Sequence, residues 1–100
     1  MFRKVANNYA TNDTGIDVRG VSRDTFEYRE GNHILRIGRE AAVTDDGRPA
    51  QIIYLDNFLR WEPPFDKERI VGGDIDRISG NLIAAFAALG VPTFTERRGI

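Results

Sequence analysis

The chain of 100 residues contains no cysteine and only one histidine, His33. Without cysteine the fold has neither disulfide bonds nor thiolate metal sites, and one histidine is too few for the usual structural zinc sites. Proteins without disulfides are typical of a reducing compartment, so we expect a cytoplasmic location. We also expect no cofactor and no bound metal.

Long apolar runs and a strong excess of one charge are also missing. The longest apolar run, residues 82–89, is far shorter than the roughly 20 residues that cross a bilayer. The first residues, Met1 to Lys4, lead into polar Asn7 and Asn8 instead of the apolar region of a secretory signal. A formal net charge of −1 provides no overall basic footprint for phosphate groups. We therefore expect neither a membrane nor a nucleic acid as direct partner.

The residues that are present indicate one small globular domain. Hydrophobic residues make up 41% and charged residues 29% of the chain, which is ordinary for a folded protein. A chain of this length has room for one hydrophobic core, so we predict a single domain over residues 1–100. Within it, residues 1–15 form either a loose arm or an edge strand, and residues 96–100 form a polar tail.

Short runs of β-forming residues separated by turn residues extend from residue 16 to about residue 59. Residues 25–29 and 33–37 alternate around a turn at 30–32, which predicts a hairpin. Residues 42–44 and 51–55 flank an Asp-Gly turn and predict a second hairpin. Pro63 and Pro64 then end the sheet, because each lacks a backbone donor. The pattern predicts a mainly antiparallel meander of four to six strands.

One helix is predicted near the C-terminus, with Asp74 as its N-cap. Gly90 and Pro92 suit its end at about Leu89. Residues 91–95 then resemble a short final strand. One stripe of the helix is apolar and should pack on one face of the sheet: Ile75, Ile78, Leu82, Ala85, Phe86 and Leu89. The predicted fold class is therefore α+β.

Candidate catalytic residues are few. His33 alternates with Leu35 and Ile37 along a predicted strand, so a structural role is favoured over general-base or metal-ligand roles. Ser22 and Ser79 lie in no recognisable nucleophile motif. The carboxylates are more typical of solvated loops than of an acid–base pair. We therefore predict that the protein is not an enzyme.

The single tryptophan, Trp61, lies where the sheet run ends. Tryptophan and arginine are enriched in binding hot spots, and Arg60 is adjacent. The favoured interpretation is a core anchor beneath the helix, because this corner needs a large side chain to fill it.

Acidic residues are concentrated in the middle of the chain. Residues 40–76 contain nine acidic and four basic side chains, a net charge of −5. Such a segment would attract a basic protein surface, for example that of a nuclease domain, although loop charge also serves solubility. Six carboxylates in or beside predicted loops are the candidate partner-binding residues: Asp45, Asp46, Glu62, Asp66, Glu68 and Asp74.

The order of these features resembles a family of small immunity proteins from bacterial polymorphic-toxin and contact-dependent growth inhibition systems. The resemblance covers residues 19–95 and includes the segments 28–31, 34–40, 61–64 and the late helix. It implies a cytoplasmic inhibitor that binds and neutralises one cognate toxin, commonly a nuclease. It also implies structural roles for Trp61 and Pro63, but it carries over no binding residue. The net charge of −1 departs from the strongly acidic character of many nuclease inhibitors.

Two other functions compete with this one. A small non-enzymatic interaction or regulatory module would bind peptides or its own copies through an exposed sheet edge. An enzyme with an unrecognised carboxylate site is the remaining alternative.

Overall fold

A computed structural model describes residues 1–54 and 60–96. Within these residues, eight strands and one helix follow one another as β1 Arg3–Ala6, β2 Tyr9–Thr11, β3 Ile16–Gly20, β4 Thr25–Glu30, β5 His33–Gly38, β6 Glu40–Val43, β7 Pro49–Tyr54, α1 Gly72–Ala88 and β8 Thr93–Glu96. The predicted α+β class is confirmed. The predicted strand end at Leu55, the run to residue 59 and most of the tail lie outside the described residues.

Strands β1 to β5 form one antiparallel sheet in chain order. The predicted hairpin is its β4–β5 pair, with Glu30 opposite His33. Gly31 in its turn has a φ of +61°, a left-handed conformation that favours glycine. At the other edge, β1 pairs with β2 in an antiparallel hairpin, so β1 is the edge strand of this sheet.

Strands β6, β7 and β8 form a second sheet. The β6–β7 pair is the other predicted hairpin, whereas β8 runs parallel to β7. The meander does not continue from β5 into β6, because the backbone N–H of Arg39 bonds to Asp24 O at 2.9 Å beside the β3–β4 turn. The helix acts as the crossover that returns the chain parallel to β7, a connection that parallel pairing requires.

The helix covers the inner face of the first sheet. Of its predicted stripe, Ile75 and Leu89 are half-buried, while four residues are fully buried: Ile78, Leu82, Ala85 and Phe86. The sheet contributes alternate residues of its strands: Val18, Phe26, Tyr28, Leu35 and Ile37. The rings of Phe26 and Phe86 meet edge to face with centroids 5.0 Å apart.

The predicted N-cap of the helix is wrong by three residues. The helix begins at Gly72 after Val71, so Asp74 is the third helical residue. Its carboxylate still accepts the backbone N–H of Val71 at 3.1 Å and thereby satisfies a free donor of the first turn. The C-terminal end agrees with the prediction, since Gly90 has a φ of +78° just after the C-cap Leu89.

Candidate functional site

The segment from residue 61 to residue 71 joins the second sheet to the helix and lies against strand β5. The backbone N–H of Glu62 donates to Ile34 O at 2.8 Å, so the segment covers part of this sheet edge. Trp61 is its first residue, is only 5% exposed and belongs to the hydrophobic core. Pro63 and Pro64, joined by a cis peptide bond, follow in an exposed turn.

His33 is held between two aromatic rings of this segment. Its ring stacks on Phe65 at 3.9 Å and meets Trp61 edge to face at 5.0 Å. His33 Nε2 lies 2.9 Å from Glu68 Oε2. Because both ring contacts serve packing, the geometry supports the structural interpretation of the single histidine.

A charged cluster lies beside this segment at the N-terminal end of the helix. Arg77 donates from Nη2 and Nε to the two carboxylate oxygens of Glu30, at 2.8 and 3.1 Å, and from Nη1 to Asp74 at 2.7 Å. The bonds to Glu30 raise the pKa of Arg77 above its ordinary value, and the bond to Asp74 adds a smaller increase. The hydrogen bond that Asp74 accepts from the Val71 N–H lowers the pKa of its carboxyl group, and the bond from Arg77 lowers it further.

Tyr28 connects this cluster to the core. Its hydroxyl donates to Glu30 Oε2 at 2.7 Å and accepts from Asn81 Nδ2 at 3.0 Å. Burial, assisted by the bond to Glu30, raises the pKa of the Tyr28 phenol. Hydrogen bonds of Tyr28 with Glu30 and with Asn81 therefore join strand β4 to the helix.

The six predicted partner-binding carboxylates fall into two groups. Glu62, Asp66, Glu68 and Asp74 lie in the 61–71 segment and the first helical turn, and we call these four residues the acidic surface. Asp45 and Asp46 lie instead in the β6–β7 turn of the second sheet. The structure thus divides the acidic stretch between two places on the molecule.

Several of these carboxylates already have cationic partners. Glu62 lies 3.7 Å from Arg36 Nε, and Asp46 lies 3.0 Å from Arg48 Nε. Bonds from the Thr44 hydroxyl and then from Arg48 lower the pKa of Asp46.

Asp45 and Asp66 form no ion pair with any residue that the structure describes. Because most of the other candidate carboxylates lie beside a cationic side chain, a binding partner meets less negative charge than the net charge of −5 for residues 40–76 suggests.

Within residues 1–54 and 60–96, no group of three or more histidine, aspartate or glutamate side chains is placed to hold a metal ion. No helix in this part of the chain is both long and apolar enough to cross a membrane.

A second feature lies beyond the C-terminal end of the helix, where four chain connections meet around a cleft of about 400 Å³. Three arginines line it, Arg23 from the β3–β4 turn, Arg39 from the β5–β6 link and Arg48 from the end of the β6–β7 turn. We call it the arginine cleft. The sequence interpretation missed it because these arginines are far apart in the chain and share no motif, so only the topology brings them together.

Comparison with known proteins gives one match. A family model described as Immunity protein 74 matches residues 17–93, which extend from the second residue of β3 to the first residue of β8. No curated protein and no solved structure matches the chain.

Proposed function

The chain belongs to the Immunity protein 74 family, and from this premise we propose that it binds a cognate toxin domain and neutralises it by covering a functional surface. The family match carries the proposal, because it includes both the acidic surface and the arginine cleft. The resemblance to immunity proteins inferred from the residues themselves agrees with it.

Neutralisation by binding needs no chemistry from the inhibitor, and the internal contacts of His33 and of the charged cluster support such a role. The imidazole of His33 is stacked on Phe65 and meets Trp61 edge to face. Glu30 and Asp74 are both bonded to Arg77. Side chains with these internal partners are suited to holding a surface in shape, and we propose that the protein works as a rigid, non-enzymatic inhibitor.

We further propose a basic toxin as the partner, with a nuclease as the target class. A nuclease binds a polyanion and therefore carries positive charge around its active site. The acidic surface offers four carboxylates on one loop and helix start, and the longer stretch of residues 40–76 carries a net charge of −5. Since partners such as Arg36 and Arg77 offset part of this charge, its main effect is to steer the encounter. A nuclease acts inside the cell, so we propose the cytoplasm as the site of action.

The basic test is whether the protein protects cells from the toxin. Co-expression with the toxin gene adjacent to its own should restore growth that the toxin alone abolishes, and the purified proteins should form a complex. Growth arrest in the presence of soluble immunity protein would contradict the proposal.

A charge-reversal variant tests the role of the acidic surface. Glu62→Lys, Asp66→Lys and Glu68→Lys together should slow association severalfold at low salt and less at high salt, with an unchanged far-UV spectrum. The control variant reverses exposed charges outside both the acidic surface and the β6–β7 turn, at Asp13 and Glu96, and is compared per reversed charge. Stopped-flow association at two ionic strengths measures both variants. Equal slowing by the two would mean that only total charge matters, and an unchanged rate would mean that the toxin docks elsewhere.

A further inference from the structure

Arg39 is a half-buried cation that contacts no carboxylate among the residues that the structure describes. Its Nη1 donates to Gln51 Oε1 at 3.3 Å and its Nε to the backbone O of Arg23 at 3.4 Å. Its guanidinium carbon lies 6.0 Å from the centre of the Phe86 ring. All three contacts are to neutral groups, so the charge of Arg39 is not balanced by a contact in the described part of the protein.

The groups that hold Arg39 are themselves fixed. Gln51 is only 4% exposed, and its Nε2 donates to Thr93 Oγ1 at 3.0 Å. The Thr93 hydroxyl donates in turn to Val91 O at 3.2 Å. This chain of bonds orients the Gln51 oxygen towards Arg39, and therefore holds the guanidinium in one place before any partner arrives. Preorganisation of this kind lowers the entropic cost of binding.

Arg77 at the other end of the helix provides the contrast. Its side chain is 45% exposed, yet it is bonded to two carboxylates, and the need for an opposite charge is greater for an arginine that is more buried. Arg39 lacks such a partner, and Arg23 beside it forms no ion pair with a described residue either. Both arginines line the same cleft.

We propose that the arginine cleft binds an acidic side chain of the toxin, with Arg39 as the anchoring cation; this inference rests on the proposed function for its partner. The planar guanidinium matches a carboxylate with two parallel hydrogen bonds. A cleft of about 400 Å³ has room for one such side chain and its neighbours. Ala50, Val91 and Pro92 provide apolar lining for the stem of the side chain.

The remaining lining favours a single protein carboxylate over phosphate. Asp24 and Glu40 line the cleft together with the three arginines. With three arginines against these two carboxylates, the charged lining carries one net positive charge, which one carboxylate balances and a doubly charged phosphate or a polyanion exceeds. A nucleic acid is therefore disfavoured at this cleft, and an aspartate or glutamate of the toxin fits it better.

The first test uses the isolated protein and needs no toxin. Nitrogen-15 NMR titration with N-acetylglutamate methylamide should shift the backbone signals of Gln51, Gly90 and Val91 and the Nε–H signal of Arg39. The same concentrations of N-acetylglutamine methylamide, which has no charge, should shift none of them. The proposal is overturned if the two compounds act alike, or if inorganic phosphate binds at the cleft more tightly than the glutamate derivative.

The second test compares arginine variants in the full chain. Arg39→Gln should abolish the NMR response and raise the Kd for the toxin about tenfold, which corresponds to about 1.4 kcal/mol. The matched control Arg29→Gln removes an exposed arginine outside the cleft and should leave both measurements unchanged. Arg23→Gln removes no side-chain hydrogen bond to a described residue and should weaken toxin binding severalfold. It tests the cleft even if Arg39→Gln does not fold.

Wild-type affinity for the toxin in both cleft variants would overturn the proposal. If the wild-type protein itself fails to bind the toxin, the proposed function fails instead. The titration with the glutamate derivative still decides whether the cleft binds a carboxylate, so the two failures are distinguishable.

Discussion

Replacing Trp61 with alanine should remove a large part of the stability of this protein. Trp61 is 5% exposed and belongs to the core, and an aromatic side chain of this size buries about 200 Å². At about 25 cal/mol per Å² this area corresponds to about 5 kcal/mol, an upper value because the unfolded chain already buries part of it. We expect Trp61→Ala to lower the free energy of unfolding by about 3–5 kcal/mol.

The measurement is urea unfolding followed by far-UV circular dichroism. Tryptophan fluorescence is unsuitable, because the sequence contains no other tryptophan. The matched control is Val43→Ala, which shortens a side chain that is 70% exposed on β6 and should change the free energy by about 0.5 kcal/mol or less. Domains of this size are stable by only about 5–15 kcal/mol, so Trp61→Phe serves as a milder second variant with a smaller loss.

The result also distinguishes the two interpretations of Trp61. A core anchor predicts a large loss of stability. If Trp61→Ala retains wild-type stability but no longer binds the toxin, the anchor interpretation is wrong and Trp61 is a binding hot spot.

Three further predictions concern the charged cluster and its link to the core. Arg77→Met should lower the free energy of unfolding by about 1 kcal/mol, because it removes exposed ion pairs with good two-pronged geometry, and urea unfolding measures this. The pKa of Asp74 is lowered in the folded protein, so ionised Asp74 contributes to the free energy of unfolding above about pH 4, and this contribution is lost as the pH falls further. Asp74→Asn should therefore make stability decline less steeply in acid titrations. The pKa of Tyr28 is raised, so stability should be lost as the pH rises above about 10, and Tyr28→Phe should reduce that alkaline loss in the same assay.

Features set by neighbouring residues could be predicted from the sequence. The β4–β5 hairpin follows from alternation around a turn in which Gly31 adopts a positive φ. The end of the helix follows from Gly90 and Pro92. The N-terminal end was misplaced because Gly72 and Gly73 are weak helix formers, yet both lie within the helix. There the bond from the Val71 N–H to Asp74 outweighs the local preference.

Features set by topology could not be predicted. Nothing local distinguishes a final strand that extends the first sheet from β8, which pairs with β7 in a second sheet. The arginine cleft could not be predicted either, because its lining depends on the β3–β4 turn lying beside the start of β7. The acidic stretch shows the reverse error, because a continuous run of charge in the sequence is divided between two surfaces and partly neutralised by arginines.

The two charged regions should affect different steps of toxin binding. Carboxylates such as Asp74 already have cationic partners in the free protein, so a toxin gains little new pairing there and feels mainly their long-range field. Arg39 has no such partner among the described residues and gains a carboxylate only in the complex. Reversal of the acidic surface should therefore lower the association rate and depend on salt, whereas Arg39→Gln should raise the dissociation rate with little effect on association. Surface plasmon resonance at two ionic strengths separates the rates, and a slower association with unchanged dissociation for Arg39→Gln would refute this assignment.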